Sequence, residues 1–283
     1  MKRFYSTVVI GIIVGLILSV LFITGTLETL ELKTLDHRFH TFSDRMAPSK
    51  DIVIITIDQN SLDYLKYKMG IVWKWPRDIY AYVIDYLRAA GAKAILLDFI
   101  FSDPDIDRAE FESGETDIML GEAIKKAGNV TNSIEFFKEI EKSNYVDLIN
   151  YDSITKFAIE VKGIDHLELD DYGDADPPIP PILEHSGSLG SSNVIADPDG
   201  IIRKVRLFHK FKNRVYTHSS FALFHSLAGN PRTSVDRDYA LELDDRVLGL
   251  NRMVRYISTG TAREGLKAIP LHTTLLPMYC YHI

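Results

Sequence analysis

The sequence predicts an α/β protein: a mixed, mostly parallel sheet flanked by helices and preceded by one N-terminal transmembrane helix. Three observations predict it. Val8–Leu27 is uncharged over about 20 residues, which at ~1.5 Å rise per residue matches a ~30 Å hydrocarbon core. Two apolar strand-like runs, Ile52–Ile57 and Ala94–Ile100, bracket a helical pattern from Arg77 to Ala90, the arrangement of a parallel crossover unit. Further strand and helix patterns follow as far as Ile257. A chain of 283 residues, 46% hydrophobic, can bury a sizeable core.

Residues 1–7 are expected in the cytoplasm, because Lys2 and Arg3 flank the apolar run. Residues 8–27 are the span. The run is longer than the apolar part of a cleavable signal peptide and no A-x-A site follows, so a signal anchor is expected; a cleaved signal peptide is the alternative. Residues 28–47 read as a juxtamembrane helix with Leu30, Leu35, Phe39 and Phe42 as its apolar face, ended by Pro48. Leu35, Phe39 and Phe42 are expected to pack onto the domain that follows, residues 48–283.

In that domain Ile52–Ile57 is the first expected strand, and Ser61 the N-cap of a short helix. Pro76 opens the helix from Arg77, whose stripe is Ile79, Val83, Ile84 and Leu87, and Gly91 closes it. Asp117–Ala127 is a helix closed by Gly128, with a short strand from Asn129 to Asn132. Residues 134–176 read as a peripheral excursion, and the prolines at 177, 178, 180 and 181 as an extended entry into Ile182–Gly187. Asp197-Pro198-Asp199-Gly200 is a turn, followed by a strand over Ile201–Phe208 and a hairpin partner over Phe211–Tyr216. Ser219–Leu227 is a helix ended by Gly229-Asn230-Pro231. Leu241–Leu250 and Met253–Ile257 form a last strand pair.

A net charge of −7 without a lysine and arginine stripe argues against a nucleic-acid surface. The one cysteine, Cys280, excludes an intrachain disulfide and a cysteine-based metal site. The histidines lack H-x-x-x-H or H-E-x-x-H spacing, and neither G-x-S-x-G nor a phosphate-cradling glycine loop occurs. No catalytic residue, metal ligand or cofactor is therefore assigned.

The candidate ligand-binding or coupling residues are Asp58, Trp75, Arg77, Asp98 and Asp103. Asp58 and Asp98 end the two expected strands, where open α/β sheets hold ligands. Such carboxylates also cap loops and helices, and a carboxylate cluster can hold a divalent cation for hydrolysis. Asp103-x-Asp105-x-Asp107 echoes a calcium loop, but Arg108 replaces its glycine and Gly114 its final glutamate. Arg77 can clamp an anion or pair with Asp58 or Asp98. Trp73 and Trp75 can floor a ligand site, anchor at a membrane interface, or pack a loop.

The blocks LDHRF, DIVIITIDQNSL, WPRDIYAYVIDYLRAAGAKAILLDFIFSD, LGSSNVIADPDGIIRKVRL, SSFALFHSLAG and MVRYISTG occur in that order. Together they resemble a CHASE2 domain, an extracytoplasmic sensory module of bacterial transmembrane receptors. The resemblance runs from Leu35 to Pro270, with 135–180 poorly matched. It implies a sensor at the inner membrane, its bulk outside the cytoplasm, held by residues 8–27 in the lipid bilayer. Its partners would be an unidentified small-molecule or environmental stimulus and a second copy in a homodimer. Receptors of this kind carry further membrane helices and an output kinase or cyclase; this chain shows neither, so a truncated or frame-shifted reading frame with an incomplete C-terminal end is expected. Enzymatic activity is not expected. A membrane-tethered carboxylate-metal hydrolase and a non-functional receptor fragment are the alternatives.

Overall fold

The computed structural model describes residues 2–43, 49–108, 110–138, 151–167, 169–237, 240–244 and 246–249. Among them, those up to Val53 together with Ala196–Arg203 form one compact unit. Ile54–Ile195 and the described residues from Lys204 onward form a second.

The first unit begins with α1 (Lys2–Ile23) and α2 (Thr26–Ser43). The expected single helix over residues 8–27 is interrupted. Gly25 takes φ 70, the left-handed conformation that ends helices, and the Thr24 N–H and hydroxyl both donate to the Val20 carbonyl. No single helix among the described residues is long and apolar enough to cross a membrane. The pair Val8–Ile23 and Thr26–Thr41, bent by 72° at the break, meets the requirement jointly by length and composition. On α2 the buried apolar residue is Leu32, whereas Leu30 and Phe39 are exposed and Leu35 is half-buried. The Phe42 side chain lies outside the described residues.

Ile52–Ile57 corrects the expected crossover unit. It forms no ladder with any described strand, and Val53 and Ile54 are each 78% exposed. Apolar character alone does not make a strand; the backbone groups need a partner. The second unit continues with α3 (Gln59–Met69), α4 (Arg77–Ala89), β1 (Ile95–Leu97), α5 (Glu115–Ala127) and β2 (Val130–Phe137). The parallel crossover that exists is β1–α5–β2, with Ile95 opposite Val130. Asp58, not Ser61, caps α3. Next come β3 (Val161–Lys162), β4 (Asp171–Tyr172), β5 (Asp174–Asp176), α6 (Pro180–Leu183) and β6 (Ser188–Ser191). The unit then runs through β7 (Phe208–Phe211), β8 (Arg214–Thr217), α7 (Ser219–Leu227), β9 (Thr233–Val235), β10 (Ala240–Leu243) and β11 (Arg246–Gly249).

Three sheets result among the described residues: β1-β2-β5 with β6 also on β2, then β11-β10-β9-β3, and β4-β7-β8. Among the described residues four strand pairings are parallel and four antiparallel, so the expected mostly parallel sheet is a set of mixed ones. Tight hairpins account for the difference. Lys212 and Asn213, at φ 47 and 60, turn β7 into β8 as two-residue hairpins require. The expected peripheral excursion is corrected too, since β2 runs to Phe137 as a central strand and β5 pairs with it; residues 139–150 lie outside those described. Pro180 and Pro181 start α6 instead of extending the chain. Of Ile201–Phe208 only Phe208 enters a long ladder, the expected strand over Leu241–Leu250 holds two antiparallel strands, β10 and β11, and Met253–Ile257 lies outside the described residues.

Among the described residues, two buried clusters hold elements of the second unit together. Tyr80, Ala81 and Ile84 of α4 meet Leu120, Ala123 and Ile124 of α5 over Ile95, Leu97 and Val130. Ile134, Phe136, Leu189, Phe211 and Tyr216 close the other. At Gly190 a Cβ would stand 2.3 Å from the Ser219 Cα, so β6 carries glycine where α7 lies directly upon it.

Candidate functional site

Asp58 ends the unpaired stretch and turns it into α3. Its carboxylate accepts from the Ser61 N–H at 2.8 Å, the Ser61 hydroxyl at 2.7 Å and Asn60 Nδ2 at 3.3 Å. The Ser61 bonds hold its pKa below the usual carboxylate range. This is an N-cap, the structural alternative for a strand-end aspartate. Asp98 is exposed just beyond β1. Neither residue pairs with Arg77.

The Arg77 partner is Asp117, in the first turn of α5. Arg77 Nη1 lies 2.6 Å from Asp117 Oδ1, with the two side chains 9% and 4% exposed. The start of α4 and the start of α5 share one end of the unit, which is why a residue 40 positions on supplies the carboxylate. Nη2 of Arg77 donates to the Asp103 carbonyl, and the guanidinium carbon sits 5.0 Å from the Phe101 ring centroid. Asp103 thus contributes its backbone; its side chain is exposed.

Asp105 completes this cluster. Its Oδ2 accepts from the Arg77 N–H at 3.0 Å, Thr116 Oγ1 at 2.7 Å and Arg108 Nη1 at 2.9 Å, while its own N–H donates to Asp117 Oδ2 at 3.1 Å. Burial pushes the Asp105 pKa up, but hydrogen bonds from Thr116, Arg108 and Arg77 outweigh it and the net shift is downward. Trp75 belongs to the apolar core, edge-on to Trp73 at 5.5 Å, and so is loop packing in this structure. Its Nε1 and Asp78 Oδ1 are buried without a partner among the described residues. Burial raises the Asp78 pKa and pushes Tyr80 up to about 12.

Chemically, the two features that attract anions here, a guanidinium and a helix N-terminus, are occupied by the protein's own carboxylates. The cluster is a latch between α4 and α5. Among the described residues no group of three or more His, Cys, Asp or Glu side chains is arranged to hold a metal ion.

A second cluster lies in the first unit and was not singled out from sequence. Arg203, its side chain 4% exposed, reaches Asp36 on α2 through Nε and Nη2 at 2.6 and 2.7 Å. Nη1 donates to Asp197 at 3.0 Å and to Asp199 Oδ1 at 2.8 Å, and Nη2 to Asp199 Oδ2 at 2.7 Å. These contacts match the five N–H donors that a guanidinium owns. The Arg203 bond brings the Asp199 pKa down to about 2 and lowers that of Asp36. The turn is the expected one: the Gly200 N–H donates to the Asp197 carbonyl at 2.8 Å. The signal available in sequence was that Asp36 and Arg203 sit inside LDHRF and DPDGIIRKVRL, two blocks 167 residues apart whose charges needed partners.

No curated protein and no solved structure matches the chain. The family model described as the CHASE2 domain matches residues 12–276, nearly its whole length, and the chain belongs to that family.

Proposed function

We propose that the chain is a membrane-anchored extracytoplasmic sensor in which residues 8–27, most of α1 and the bend that follows it, are the anchor and α2 reports the state of the sensing unit. CHASE2 domains are sensory, and family membership carries that part. Anchoring is supported by α1, whose valine, leucine and isoleucine side chains are exposed on every face, with Lys2 and Arg3 at one end. In this reading α1 lies in the lipid of the cytoplasmic membrane, the remainder outside the cytoplasm, and the stimulus is a small molecule or an environmental condition met there. A homodimer would place two α1–α2 elements side by side, so that one could shift against the other.

The observation that carries the relay is Arg203. It binds α2 through Asp36, and the next residue, Lys204, begins the return of the chain into the sheet-bearing unit. Displacement of that chain would be passed to α2 through bidentate charge-assisted bonds, which resist slippage better than an apolar contact. No catalytic role is assigned to any residue.

Alkaline-phosphatase fusions test the topology. Activity is expected for a fusion after Leu120 and not for one after Tyr5; activity only after Tyr5 would reverse the reading.

A further inference from the structure

The second unit contains a cavity of about 800 Å³, none of whose lining residues belongs to the Arg77 latch. That volume falls within the roughly 300–1,000 Å³ of small-molecule sites. It is bounded by β3, β6, β8, α7 and β9, and its lining is of two kinds. Phe157, Leu189 and Ala222 are apolar; Lys162, Thr217 and Arg232 bring hydrogen-bond donors.

Thr217 is 3% exposed and its side chain belongs to the lining. The Lys162 ammonium and the Arg232 guanidinium, both at exposed positions, have no carboxylate partner among the described residues. Other polar groups on the wall are committed. His225 Nε2 lies 3.0 Å from the Pro231 carbonyl and 3.3 Å from Thr233 Oγ1. Asp244 accepts from the Arg232 N–H at 3.1 Å, and Lys156 donates to the Glu184 carbonyl at 3.1 Å. The remaining acid, Glu160, is exposed. Two cations without a carboxylate partner make this part of the lining positive, which favours a negatively charged guest.

We propose that this cavity binds a small organic carboxylate, its charged end held by Lys162, Arg232 and Thr217 and its carbon skeleton by Leu189 and Phe157. The apolar half of the lining selects a carboxylate with a hydrocarbon body over a bare inorganic anion. The inference names a ligand class for the sensory reading and rests on that reading for its purpose alone. Binding is measured regardless of membrane orientation, so it can fail while the topology stands, and the reverse.

The test is isothermal titration of the full chain in mild detergent with butyrate, succinate and inorganic phosphate. Saturable binding of butyrate or succinate is expected, tighter than that of phosphate. Arg232→Glu and Lys162→Glu, both at exposed positions, should each weaken it by about tenfold or more, the equivalent of ~1.4 kcal/mol. Thr217→Val should weaken it several-fold, with an unchanged circular dichroism melt showing that the variant folds. Absence of saturable heat with both carboxylates, phosphate binding as tightly as either, or an unaltered Arg232→Glu variant would each overturn the proposal.

Discussion

Replacing Asp117 by alanine strips the buried Arg77 guanidinium of the carboxylate at 2.6 Å and leaves the Asp105 N–H without its acceptor. Because both side chains are more than nine-tenths buried, water cannot take over the lost partner. Orphaning one member of a buried pair costs about 3–5 kcal/mol. The unpaired Asp105 N–H falls within the same loss. Set against a domain stability of roughly 5–15 kcal/mol, this is a large fraction. With a urea dependence of ~1–3 kcal/mol per molar, the unfolding midpoint should fall by about 2 M at unchanged slope. Urea titration of the purified full chain, followed by tryptophan fluorescence, reads it directly, since Trp75 lies in the apolar core to which α4 and α5 contribute. A double variant, Arg77→Met with Asp117→Leu, removes both charges. It should recover most of the loss and stay ~1–3 kcal/mol below the parent, because the Asp105 N–H remains unpaired. A loss below about 1 kcal/mol in the single variant, the range of an exposed pair, would refute the latch.

Acid should destabilise the second unit through two buried histidines. Burial brings His218 down to about 4 and, with His218 and Arg206 as like-charged neighbours, His209 to about 3. Unfolded histidine binds its proton near pH 6.5, so stability is full above that value and falls by up to ~1.4 kcal/mol per pH unit per histidine as the pH drops toward 4 and then 3. His209→Phe should flatten that limb, measured as urea stability between pH 7 and pH 4.5. Gly190→Ala should destabilise by about 1–3 kcal/mol, since its methyl would overlap the α7 backbone at Ser219; a thermal melt checks it. Arg203→Lys keeps the charge but loses the two-pronged grip on Asp36 and Asp199. Faster hydrogen exchange is expected for α2 amides near Asp36, with exchange in α4 and α5 unchanged.

Helices were the legible part of this chain. α4, α5 and α7 carry their own instructions: an apolar stripe and, after each, Gly91, Gly128 or Gly229 at positive φ. β2 was legible only at its start, because its middle is polar. Thr131, Asn132 and Ser133 are buried there, bonded to the Ser188 hydroxyl, the Ser186 hydroxyl and the Leu97 carbonyl. A hydrophobic pattern cannot show a strand whose burial depends on partners 36 to 57 residues away. Ile52–Ile57 failed in the opposite sense, with the right residues and no neighbour. The site followed the same rule. Trp75 and Arg77 stood out by residue type and Asp105 by its spacing, whereas Asp117, Asp36 and Arg203 became visible only as pairs.

The stretch from Ile52 to Ile55 has a consequence for how the protein behaves in a tube. Four consecutive uncharged, β-branched side chains stand in solvent on a backbone that no described strand pairs with. Short windows of high β-propensity without charge or proline nucleate cross-β stacking. The protein's shelf life at high concentration should therefore be set at these residues, not at its melting temperature. A single lysine at Val53 should act as a gatekeeper, lengthening the lag before thioflavin fluorescence rises while leaving the latch and the core as they are.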